Sequence, residues 1–148
     1  MRRNRSEVPY ACGTTRTGAE RLSMEREQRV ELPPWPSSAR DARRFVARAL
    51  DNAAPETRDV SILLASELVT NALLYARGRI ILRVTPTASA YRISVEDTTP
   101  GEVAPRKVPV TATSGRGLAL VDRLSASWGV ESRPDEGKDV WFEVPRTS

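Results

Sequence analysis

The chain has 148 residues, 39% hydrophobic and 28% charged, with a net charge of +4 and no histidine. The missing histidine excludes a histidine phosphoacceptor, a Ser-His-Asp triad and a histidine-ligated metal, and the single Cys12 excludes an internal disulfide or a cysteine-built metal site. The apolar runs are too short to span a membrane, and MRRNRSEVPY carries charges without an apolar core, so no secretory signal is expected and a cytoplasmic protein is the default.

The positive charge is unevenly placed. Residues 1–29 hold seven Arg and four Glu, whereas residues 30–148 hold sixteen Lys+Arg against fifteen Asp+Glu. The folded part is therefore nearly neutral and lacks the basic footprint of a nucleic-acid binder. Residues 1–28 are polar and aperiodic, which predicts a disordered tail followed by one domain over 29–148.

Arg29–Pro33 reads as a short strand ended by Pro33, Pro34 and Pro36. Ser37 and Ser38 supply an N-cap for a first helix, with Asp41 in its first turn and Ala39, Ala42, Phe45, Val46, Ala49 and Leu50 on its apolar face. Asn52–Pro55 breaks the chain. A second helix over Arg58–Ala76 repeats Val60, Leu63, Leu64, Leu68, Ala72 and Tyr75 at helical spacing and ends at Arg77-Gly78, a C-cap signal. Two alternating strands, Arg79–Thr85 and Ala90–Glu96, flank a turn at Pro86–Ser89. A long irregular segment over Thr98–Ser114 is of the kind that usually carries function. Gly115–Leu124 reads as a short helix. Trp128–Arg133 and Val140–Val144 read as strands about a turn at Pro134–Gly137. Trp128, Trp141, Phe142 and Phe45 supply the aromatic part of one core. This order predicts an α+β fold, a two-layer sandwich with helices on one face of a mostly antiparallel, mixed sheet.

Three places carry polar chemistry. Glu67 and Asn71, four apart, point the same way, one turn above the other, and fall within the apolar stripe of the second helix. Burying both without partners would cost roughly 1–3 kcal/mol or more per group, so a ligand, cation or water must meet them. A carboxylate there could orient or deprotonate a nucleophile, and the amide oxygen suits a hard cation such as Mg²⁺. If the face were displaced by one residue, both groups would simply be solvated. Asp97, at a strand end, is placed to accept a hydrogen bond from a base amino group, or is an ordinary turn aspartate. Ser114-Gly115-Arg116-Gly117-Leu118 leads into a helix. Its glycines allow close backbone approach and its N–H groups favour phosphate, although a glycine-rich helix start does so without any ligand.

Taken in order, these residues resemble the Bergerat-type ATP-binding fold of histidine kinases, gyrase-type ATPases and Hsp90-type chaperones. Within that superfamily the chain looks most like the small anti-sigma-factor serine/threonine kinases. Glu67-Leu-Val-Thr-Asn71-Ala72 is similar to the N-box, Asp97 through Gly101 to the first glycine box, and Gly115-Arg116-Gly117-Leu118 to the second, with an ATP lid between. Glu31-Leu32-Pro33-Pro34 and the closing strands around Trp128 and Trp141 also match, over about residues 30–145. The resemblance implies Glu67 as the catalytic carboxylate and Asn71 as the Mg²⁺ ligand at the ATP phosphates. It implies Asp97 at the adenine amino group, and Gly101, Gly115, Arg116, Gly117 and Leu118 at the lid and phosphate site. It further implies phosphorylation of an anti-sigma antagonist protein, sequestration of a sigma factor, and a homodimer. A non-catalytic module that uses ATP only to shape a partner surface is the alternative. Three positions depart from the pattern. Thr99 and Pro100 stand in the first glycine box, Tyr75 stands where a histidine is frequent, and Lys138-Asp139 follows the hairpin Gly137, near the base in the family, where a threonine is common.

Overall fold

The computed structural model describes residues 26–75, 78–98, 112–133 and 137–146. The element order is β1 (Gln28–Leu32), α1 (Ser38–Ala49), α2 (Pro55–Tyr75), β2 (Ile80–Pro86), β3 (Ala90–Asp97), α3 (Ala112–Leu124), β4 (Ser127–Arg133) and β5 (Gly137–Pro145). The five strands form one sheet in the order β1-β2-β3-β5-β4. The sequence predicts a mixed sheet, but all four pairings are antiparallel. The α+β sandwich is otherwise as expected.

Period-two alternation sorts the two faces of the sheet. Leu82, Val84, Ile93, Val95, Phe142 and Val144 point to the helices and join Val46, Leu50, Leu64, Leu68, Val69 and Val121 in one core. Burying a side chain of this size contributes roughly 1.5–3 kcal/mol each. The opposite face carries charge and one flat aromatic ring. Arg83 Nη1 lies 2.7 Å from Glu96 Oε1, and the Arg92 guanidinium stacks 3.9 Å above the Trp141 ring centre. Trp141 therefore lies outside the core in which composition places it. A Cβ on Gly129 would stand 2.8 Å from the Trp141 ring, which explains a glycine in the middle of β4.

Several boundaries differ from the sequence reading. Gln28 pairs with Val84, and Glu27 accepts a hydrogen bond from Thr85 Oγ1, so the fold begins ahead of residue 29. Ser37 occupies the N-cap of α1 but makes no side-chain cap bond; Ser38 Oγ instead donates to the Pro33 carbonyl at 2.7 Å, tying α1 to β1. Pro55 opens α2 rather than ending a break, as proline can at a first helical position. Gly78 does not adopt a left-handed C-cap. It stays small because a Cβ there would lie 3.1 Å from Thr98 Oγ1. Residues 1–25 and 99–111, and with them most of the expected tail and lid, lie outside the described residues.

Candidate functional site

The second helix builds the site. Its fully covered side is Thr57, Ser61, Leu64, Ala65, Leu68 and Val69. Leu63, which the period assigns to the apolar stripe, is 40% exposed, and Leu74 is 53% exposed. The buried stripe is thus rotated from the expected one, because α2 is apolar on nearly every side and its period is weak. Glu67 and Asn71 consequently sit half-buried on the flank of the core rather than in its middle. The rotation leaves both groups partly open to water, and α3 meets the same flank.

Gly117 of α3 is buried at the junction. A Cβ on it would stand 3.0 Å from Glu67 Oε1 and 3.5 Å from Asn71 Nδ2. Two motifs fifty residues apart in sequence thereby meet within van der Waals distance. A side chain at this position would crowd the Glu67 carboxylate, which would have to give by a few tenths of an ångström, while Asn71 would stay at ordinary contact distance.

The remaining expected residues divide. Leu118 is half-buried and packs against the core. Gly115 and Arg116 lie inside α3, which starts at Ala112 rather than at Gly115. The N–H group of Gly115 still belongs to the first four, which have no helical partner, but that of Gly117 does not. Packing against α2 outweighs the low helix propensity of the two glycines. Gly101 lies outside the described residues.

Asp97 ends β3 on the helix-facing side, in phase with Ile93 and Val95, and is 8% exposed. It sits in register with Ile80, the first residue of β2, which the chain reaches directly from the end of α2. Thr98 donates its backbone N–H to the Arg79 carbonyl at 3.2 Å and packs on Gly78. The C-terminal ends of α2 and β3 therefore share one end of the molecule, and Asn71 lies one turn before the end of α2.

Gly137 and Lys138, which the family pattern sets near the base, also belong to this end. Gly137 has φ +97°, a backbone conformation that side chains disfavour. A Cβ there would fall 1.7 Å from the Asp97 carbonyl oxygen, deep inside contact distance. Lys138 is the direct cross-strand partner of Asp97. The hairpin glycine after Pro134-Asp135-Glu136 was the sequence signal; its contact with Asp97 is tertiary and has none.

Among the described residues, no three Asp, Glu, Cys or His side chains are placed to hold a metal ion together. Mg²⁺ typically takes only one or two protein oxygens, with water and substrate phosphates completing its shell, so a lone Asn71 amide fits such a site. A groove of about 340 Å³ lies elsewhere, between β1 and α1, lined by Val30, Leu32, Phe45, Arg44 and Arg48 among others. It touches none of the expected site residues.

The profile of the histidine kinase-like ATPase domain matches residues 32–144, most of the chain and every candidate site residue. The chain belongs to the histidine kinase-like ATPase domain family. Among solved structures this ATPase domain is similar to full-length ShkA, determined in complex with AMPPNP, at 24% identity and a TM-score of 0.50. The match covers 80% of this chain and 32% of ShkA, and at that identity it bears on the fold. No curated protein matches the sequence. No helix among the described residues of the ATPase domain is long and apolar enough to cross a membrane.

Proposed function

We propose that this ATPase domain binds ATP with Mg²⁺ and acts as an anti-sigma regulatory factor, a serine/threonine protein kinase for a small anti-sigma antagonist protein. The observation that carries the reading is the approach of Gly117 to both Glu67 and Asn71. It brings a carboxylate, an amide and one backbone position without a side chain to one point, groups that a Mg²⁺-dependent phosphoryl-transfer site could use. Family membership supports ATP binding, and the AMPPNP bound to ShkA accords with it. The kinase activity, the sigma factor and the antagonist rest on the motif resemblance.

In this reading the Asn71 amide oxygen would hold Mg²⁺, and Asp97 would accept from the adenine amino group. Mg²⁺ supplies charge neutralisation on the transferred phosphoryl group, while the protein supplies chiefly position. Glu67 stands one helical turn from Asn71, on the same side of α2, and orients the acceptor hydroxyl or takes its proton. Half-burial beside α3 limits its rotamers, which favours a positioned base over a solvated one.

Phosphotransfer from labelled ATP to a purified antagonist-type protein tests the proposal. Glu67→Gln, which keeps shape and removes the charge, is expected to lower transfer by about 10² or more with ATP affinity within a fewfold. Transfer that is equal in wild type and Glu67→Gln would contradict the role of Glu67. The second reading, a non-catalytic ATP-dependent module that captures a partner, is favoured by Thr99 and Pro100 in the first glycine box. It predicts tight ATP binding, no transfer to any acceptor, and partner capture unaffected by Glu67→Gln.

A further inference from the structure

We propose that the β1 edge of the sheet and the α1 helix beside it form a twofold interface with a second copy of this chain, in which β1 pairs antiparallel with β1 about Val30 and the two sheets become one. This goes beyond the nucleotide reading and does not rest on it.

β1 is a terminal strand of the sheet, and among the described residues no strand pairs with its outer side. An open edge is a template for another strand, and proteins commonly blunt it with proline, lysine or a bulge. Gln28–Leu32 holds none of these and pairs with β2 residue for residue. Its charges instead select a mate. Antiparallel pairing centred on Val30 sets Arg29 of each copy opposite Glu31 of the other, on the face away from the helices. Opposite charges directly across a strand pair attract. Moving the centre to Arg29 or to Glu31 sets like charges opposite each other. A centre between two residues puts the helices of the second copy on the wrong face. One register is left.

α1 repeats the pattern about the same centre. Ser38 Oγ holds the start of α1 to the Pro33 carbonyl, just past the end of β1. Val30, Glu31, Asp41, Arg44, Phe45 and Arg48 line the groove between the two elements, so α1 runs back along β1 with Phe45 beside Val30. Asp41 and Arg48 lie two turns apart on one side of α1. Both are exposed, and neither enters an ion pair among the described residues. The twofold that centres β1 on Val30 passes Phe45 and sets Asp41 of each copy against Arg48 of the other. α1 packs over β1 and β2. Two strand spacings, about 10 Å, therefore separate it from its mate, an ordinary distance for packed helices.

The mixture of charge decides the occupant. An anion or an acidic peptide drawn to Arg44 and Arg48 would meet Glu31 and Asp41 in the same groove. A second copy presents each charge with its opposite, as an isologous interface requires. Val30 and Phe45, half-buried in one chain, are covered at its centre.

Sedimentation equilibrium of the full chain without nucleotide tests the interface. Wild type is expected to dimerise. Arg29→Glu and Glu31→Arg each turn two attractive cross-strand pairs into two repulsive ones, and each raises the dimer dissociation constant by about tenfold or more. Combining the two exchanges the charges, keeps the register complementary and returns the constant to within about threefold of wild type. Asp41→Arg and Arg48→Asp, singly and together, read the same interface from outside the sheet and follow the same pattern. Thermal melts at concentrations where wild type is monomeric show that each variant keeps its fold. A wild type that stays monomeric, a dimer indifferent to the single reversals, or combined variants as weak as the single ones overturns the proposal.

Discussion

Two glycine junctions among the described residues border the candidate site, and they differ in what the glycine faces. At the helix–helix junction, Gly117 faces the far end of the Glu67 side chain, 3.0 Å from where a Cβ would be. At the strand–strand junction, Gly137 faces the backbone of Asp97, 1.7 Å from where a Cβ would be, with φ at +97°. A side chain can swing away, but a paired strand cannot. The first junction therefore holds chemistry that can be disturbed with the fold kept, and the second holds geometry that the fold itself depends on.

The largest effect is expected from Gly137→Ala. The conformation alone costs about 1–2 kcal/mol for a side chain, and parting β5 from the end of β3 adds to it. A total of about 3 kcal/mol, a fall in Tm of roughly 10 °C, is expected by calorimetric melting, with ATP affinity lost as Asp97 moves. A stable variant with full ATP affinity would collapse the distinction between the two junctions.

Gly117→Ala is expected to act the other way round. Alanine in a helix gains about 1 kcal/mol over glycine, which offsets the displacement of Glu67, so the melting temperature changes little. The displaced carboxylate and amide should weaken ATP·Mg²⁺ binding by about tenfold in a titration. Loss of stability without loss of affinity would mean that the junction is only packing.

The smallest effect, and a control for both, is Gly129→Ala on the open face. Its Cβ would press on the Trp141 ring, which is partly exposed and can shift. A loss of about 1 kcal/mol in denaturant unfolding is expected, with ATP affinity unchanged. A change in affinity would connect the open face to the site and sharpen the comparison into a coupling across the sheet.

The strands were legible to within a few residues because Ile80–Pro86 alternates buried and half-buried positions, and Ala90–Asp97 follows the same period in sequence although Ser94 is buried as well. The existence of α2 was equally plain, but not its orientation. Leucines at 63 and 74 are exposed, so the apolar pattern surrounds the helix and cannot say which side is buried. The start of α3 was misread because Gly115 and Gly117 look like a helix start, while Gly117 is glycine at a contact with another helix. Glu67, Asn71 and Asp97 were singled out from local pattern and resemblance. The contact of Gly137 with Asp97 was not, since it joins two strand ends forty residues apart, and no local spacing encodes it.

The most direct measurement is calorimetric titration of ATP·Mg²⁺ into wild type and Asn71→Ala. The account predicts micromolar binding by wild type and a loss of at least about tenfold in the variant, with the melting temperature of the unliganded protein little changed. Equal affinity in the two proteins, or no binding by the wild type, would contradict the placement of a nucleotide site where Gly117 meets Glu67 and Asn71.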